Sequence, residues 1–131
     1  MRKSIIEDEG ESRVTADEIL ERYRGGERLF ENLELPDGLS FCGKTMPGVH
    51  FKDVWLSSAD FSGADLTQTI FDTVNLKCAD FRSADLRGAT IKHCLICGAW
   101  FEGAKIDGIT LEGTFFYGAA VDDLTAFAIE N

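Results

Sequence analysis

No stretch of this chain stays apolar for anything near the ~20 residues that a membrane-spanning helix needs. The basic opening Met1-Arg-Lys meets Glu7 before a secretory core can form. No spanning helix or signal peptide is expected, so the cytoplasm is the expected compartment. Basic residues are also scarce: 13 Lys and Arg stand against 23 Asp and Glu, a net charge of −10. Phosphate binding needs a basic stripe, and none is present, so neither nucleic acid nor an anionic membrane surface is an expected partner. The acidic excess is read as serving solubility. Histidine is limited to His50 and His93, and neither has a matched nucleophile or carboxylate. No catalytic residue and no cofactor are expected.

What the chain does have is a repeat of five. Cut as Val49-His-Phe-Lys-Asp, Val54-Trp-Leu-Ser-Ser, Ala59-Asp-Phe-Ser-Gly and onward to Asp123, fifteen consecutive blocks carry an apolar third residue. These centres run from Phe51, Leu56, Phe61 and Leu66 to Leu111, Phe116 and Val121. At 44% apolar content, chance would give such a run with odds on the order of one in 10⁵, which makes an internal repeat the first conclusion. Five matches neither the 3.6 of a helix nor the alternation of a flat strand. It matches a short extended piece followed by a turn, with residues one and three of each block on one face. Gly at the fifth position of many blocks (Gly63, Gly88, Gly98) suits a turn that needs positive φ.

The blocks Ala59-Asp-Phe-Ser-Gly, Ala64-Asp-Leu-Thr-Gln, Ala79-Asp-Phe-Arg-Ser and Ala84-Asp-Leu-Arg-Gly resemble the signature of pentapeptide-repeat proteins. The likeness covers 49–123 and reaches back through Leu39-Ser-Phe41; the stretch after Ala16 resembles the openings of small cyanobacterial members. The resemblance implies an all-β solenoid, a right-handed quadrilateral β-helix of about four coils. Four blocks then make one coil, and residues twenty apart stack at about the 4.8 Å strand spacing. The inner stacks become Phe51/Phe71/Ile91/Leu111, Leu56/Leu76/Ile96/Phe116, Phe61/Phe81/Phe101/Val121 and Leu66/Leu86/Ile106.

The segments before and after the repeats read as ends. Thr15-Ala-Asp-Glu18 is a capping box ahead of Ile19, Leu20 and Tyr23, and Gly25-Gly26 stops the turn, so 14–38 should form a short capping α-helix and entry loop. Residues 1–13 read as a flexible tail, 39–126 as the β-helix, and 127–131 as its C-terminal end. Phe127 and Ile129 there are candidates for self-association, as a monomer or an end-to-end homodimer.

Cysteine gives one motif to test. Cys94-Leu-Ile-Cys97 has metal or redox spacing, but the register sends Cys94 inward and Cys97 outward, so no shared metal is expected. Cys78 lies one coil below Cys97 at an adjacent corner, close enough for a disulfide to be conceivable, although a cytosolic chain normally keeps such thiols reduced.

Function would be written on the outward rows. Lys52, Asp72, Lys92 and Glu112 alternate in sign, which reads as a register-fixing ladder. On the second side the row is Trp55, Asn75, Leu95, Phe115, with Tyr117 beside it and Trp100 nearby. The core does not need these side chains, so Trp55, Leu95, Phe115, Tyr117 and Trp100 are the candidate contacts for a protein partner. The expected function is therefore a non-catalytic interaction scaffold. The alternative implied by the resemblance is a DNA-mimicking modulator of DNA gyrase, which the lysines and arginines among the acids (Arg82, Arg87, Lys105) make less fitting.

Overall fold

The structure, a computed structural model, describes residues 14–129. The segment 1–13, read from its composition as a flexible tail, lies outside them, as do residues 130 and 131. Helix α1 spans Ala16–Arg24. Thr15 stands extended at its start and its hydroxyl oxygen accepts the Glu18 N–H at 3.1 Å, satisfying one of the free donors of a helix N-terminus. Asp17 and Glu18 in the first turn and Arg22 and Arg24 in the last agree with the helix dipole. Gly26, at φ 107°, then reverses the chain.

Beyond the helix the chain coils. Strands β1 (Leu29–Glu31), β2 (His50–Lys52), β3 (Ile70–Asp72), β4 (Thr90–Lys92) and β5 (Thr110–Glu112) form one parallel sheet in that order. From β2 onward partners lie twenty residues apart, as in Phe51↔Phe71 and Phe71↔Ile91. Single bridges continue the ladder on the other three sides: Trp55↔Asn75↔Leu95↔Phe115, Ser40↔Asp60↔Asp80↔Trp100 and Thr45↔Asp65↔Asp85↔Lys105. The result is a four-sided β-solenoid.

The block centres fill its axis. Phe41, Phe61, Phe81 and Phe101 are buried and stacked, with ring centroids 5.2, 5.2 and 5.1 Å apart and nearly parallel planes. Their neighbours on the first side, Phe51 and Phe71, meet them edge to face, as Phe61 and Phe71 do at 5.8 Å and 76°. Such geometry adds about 0.5–1.5 kcal/mol per pair beyond burial. The small first residues Ala59, Ala79 and Ala99 are buried where the chain turns between sides. Every corner needs positive φ, and Thr73 takes it at 58° despite its branched side chain. The Thr73 N–H, tied to Lys92 O at 2.9 Å, helps to hold that corner.

Three features depart from the sequence reading. Coiling begins at Leu29 rather than near 39, because β1 already pairs with β2. The second side of that first coil also carries one residue too many: Asn32 lies under Asp53 and Gly38 under Ser58, so six steps below span what five span above. The third departure is at the far end. Instead of a parallel coil, β6 (Thr114–Phe116) and β7 (Ala119–Val121) form an antiparallel hairpin closed by Tyr117 and Gly118, both at positive φ. Val121 therefore sits opposite Thr114 and not on Phe101. The place above Phe101 is taken by Phe127, from a short 3-10 turn over Thr125–Phe127, with ring centroids 6.5 Å apart.

Candidate functional site

The first side carries the alternating ladder and extends it by one charge. Glu31 pairs with Lys52, Lys52 with Asp72, Asp72 with Lys92 and Lys92 with Glu112. Lys92 Nζ lies 3.9 Å from Asp72. On the third and fourth sides, Asp80 and Asp85 are clasped by Arg82 and Arg87 two residues on, through paired hydrogen bonds of 2.6 to 3.0 Å. Those guanidinium groups hold both carboxyls below their ordinary range. Exposed pairs of this kind contribute little to stability. Their effect is to neutralise acid locally.

The second side is different. Trp55 is 68% exposed and borders a groove of about 760 Å³ lined by Leu33, Leu35, Pro36 and Val54 and by the acids Glu34, Asp37 and Asp53. The extra residue of the first coil accounts for it, since the 33–37 segment cannot lie flat beneath the five-residue side above. Asn75 interrupts the row next, its side-chain oxygen turned onto the Lys77 N–H at 3.0 Å. Leu95 and Phe115 follow as direct ladder neighbours. Tyr117, 72% exposed, stands beside them with its ring 4.9 Å from Phe116. The row is thus two clusters, Trp55 with its groove and Leu95 with Phe115 and Tyr117. Trp100 belongs to neither: it lies on the third side, with Arg82 stacked 4.5 Å over its ring. At the C-terminal end Phe127 turns inward against Phe116, centroids 5.3 Å apart, while Ile129 is exposed.

Sequence reasoning passed over Leu33, Glu34, Asp37 and Asp53. Their signal was available in the shift of spacing from twenty to twenty-one across Pro36-Asp37-Gly38.

Cys94 is buried, its sulfur within 3.4 Å of Phe71 O, and burial pushes its thiol up to about 11. Cys97 faces the other side of the wall, where its sulfur accepts the Tyr117 N–H at 3.0 Å. The two diverge, and among the described residues no group of three or more His, Cys, Asp or Glu could hold a metal ion. No helix among them is long and apolar enough to cross a membrane.

The family profile for Pentapeptide repeats matches residues 56–92 in eight copies. The crystal structure of alr5209, a pentapeptide repeat protein from Nostoc PCC 7120, superposes with a TM-score of 0.76 at 28% identity, covering 91% of this chain and 97% of that one. The repeats thus match the pentapeptide-repeat family, and the fold is that of a pentapeptide-repeat protein. Full-length QnrB1, a plasmid-mediated fluoroquinolone resistance protein, superposes with a TM-score of 0.54 at 26% identity. There the match covers 66% of this chain and 50% of QnrB1, so the present rod spans half of that one. No curated protein matches in sequence. Pentapeptide-repeat proteins are typically structural repeat proteins without catalysis.

Proposed function

We propose that this chain is a non-catalytic scaffold that holds a protein partner along its second side, with Trp55 as the anchor. The observation that carries this reading is the exposed Trp55 ring at the edge of a groove lined by Leu33, Pro36 and three carboxylates, Glu34, Asp37 and Asp53. An aromatic ring next to acid suits a Lys or Arg flanked by apolar residues, because the ring face and the carboxylates both attract the cation while the stem packs on the partly exposed Leu33 and Pro36. Leu95, Phe115 and Tyr117 give the same partner a second contact further along the side. Catalysis has no place in this reading.

The test is capture of the partner from the native host, with its affinity measured for variants. Trp55→Ala should weaken binding by roughly thirtyfold, the effect of losing an anchor of about 2 kcal/mol. Binding should also weaken with salt, since the cation meets exposed carboxylates. Unchanged affinity in Trp55→Ala and in the Leu95→Ser/Phe115→Ser double variant, with the fold verified by circular dichroism, would remove the second side as the docking surface. The gyrase reading comes from the family resemblance, and the likeness to QnrB1, which spans half of that protein, supports it only loosely. Asp80 and Asp85, which a DNA mimic would present as bare charge, are each neutralised by a neighbouring arginine. That favours the scaffold.

A further inference from the structure

Cys78 and Cys97 lie on consecutive coils one residue out of register, Cys78 beneath Gly98: the Cys78 N–H donates to Cys97 O at 2.8 Å. A backbone hydrogen bond made directly between the two residues keeps their Cα atoms near the roughly 4.4–6.8 Å that a disulfide bridges. The Cys78 sulfur already rises toward the coil above, where a β-carbon at Gly98, the residue after Cys97, would sit only 3.1 Å from it. Glycine at 98 leaves the room that this sulfur occupies. Cys78 is exposed and Cys97 partly so, and both are free thiols. The remaining cysteines are set apart. Cys94 is sealed in the core, and Cys42 lies on the third side within 3.4 Å of the Ser62 hydroxyl.

We propose that Cys78 and Cys97 are an oxidation site, forming a reversible disulfide across two coils when the protein meets a hydroperoxide. One thiolate attacks the peroxide, the O–O bond breaks, and a sulfenic acid and one water form when the peroxide is hydrogen peroxide. The second thiol then displaces the sulfenic oxygen as another water, so two thiols lose two electrons and two protons to the peroxide. In the reduced protein the Cys97 sulfur holds the Tyr117 N–H at 3.0 Å. To meet Cys78 in the coil below, that sulfur must turn away from Tyr117. Oxidation therefore exchanges a tie to the β6–β7 hairpin for a tie to the coil beneath, and reduction by a dithiol restores it.

The experiment treats the full chain with hydrogen peroxide, then alkylates it under denaturing conditions. Intact mass should fall by two hydrogen atoms, and alkylation of Cys78 and Cys97 should be lost together. Peptide mapping should join the two segments, while Cys42 and Cys94 stay alkylatable. The link should disappear in Cys78→Ser and in Cys97→Ser, persist in Cys94→Ser, and reverse with dithiothreitol. Amide exchange at Tyr117 should quicken in the oxidised form. Separate over-oxidation of the two sulfurs, chain-to-chain links through Cys42, or two thiols that remain alkylatable would each overturn the proposal.

Discussion

At the N-terminal end of the rod a helix lies across the first coil, and at the other end the last coil is only half covered. Ile19 and Leu20 are buried against the core, the Tyr23 hydroxyl donates to Pro47 O at 2.6 Å, and Arg28 stacks 3.7 Å over the Tyr23 ring. The C-terminal hairpin and 3-10 turn close only the second and third sides, with Phe127 over Phe101 and the Gly103 N–H donating to Ala128 O at 2.9 Å. On the fourth and first sides Ile106, Ile109 and Leu111 are partly exposed, and β5 is the outer strand of its sheet. A solenoid end must both bury its last core layer and occupy its last strands. The helix does the first thoroughly; the hairpin ties β6 to the coil below through Phe115 but pairs β7 only with β6, and leaves Ile106, Ile109 and Leu111 partly exposed.

The sharpest test of that contrast is stability. Ile19→Ala should cost about 2–5 kcal/mol, as for a sealed aliphatic side chain, whereas Phe127→Ala on its half-open site should cost about 1–2 kcal/mol. Urea unfolding of the two variants measures both, and equal losses would erase the distinction between the ends. A smaller effect concerns association. If the open quarter around Leu111 recruits a second copy, dimerisation seen by sedimentation equilibrium should weaken at least tenfold, about 1.4 kcal/mol, in Leu111→Lys and hold in Ile129→Ser. The reverse pattern would return self-association to the residues singled out from the sequence, Phe127 and Ile129.

The smallest effect is acid fraying. The Arg22 guanidinium, hydrogen-bonded to Glu27 beside the helix, holds that carboxyl below its usual range, and the Thr125 hydroxyl and N–H do the same for Asp123 beside the 3-10 turn. Because the folded values are depressed, their contribution is complete above the unfolded carboxylate value near about 4 and fades as pH falls through the lower folded values. Amide exchange should quicken first at Gly25–Glu27 and Thr125–Phe127. Asp80 and Asp85 are depressed in the same way, but their coils are laddered above and below. Exchange that quickens evenly along the rod would show that the ends hold no weaker than the middle.

Legibility followed the same geography. From Val49 to Leu111 each block has a coil above or below it, so the apolar centre, the small first residue and the left-handed corner were all written in the period of five. Past Thr114 the period persists in Phe116 and Val121, but no further coil exists for them to stack beneath. Tyr117-Gly118 then acts as a two-residue hairpin loop flanked by apolar alternation. That signal lay in the sequence, masked by a glycine that also fits the repeat. The groove beside Trp55 escaped notice for a related reason: a pattern that fixes inward residues is silent about one added residue on an outward side. The alternating charges of the first side were readable because each inward partner fixes the outward one beside it.

The twenty-residue register of β2, β3, β4 and β5 also sets the arithmetic by which this rod tolerates changes in length. Excising one full turn, from Ile70 through Ala89, would join Thr69 to Thr90, shorten the tower by one storey and leave every surviving side chain on its own wall. Excising a single block would keep each centre inward yet rotate all later storeys by a quarter, carrying Leu95 and Phe115 round to the wall that now bears the alternating charges. Lengths in this protein count modulo twenty for its surface and modulo five for its interior, so its core can be preserved while its outer face is dialled to a new heading.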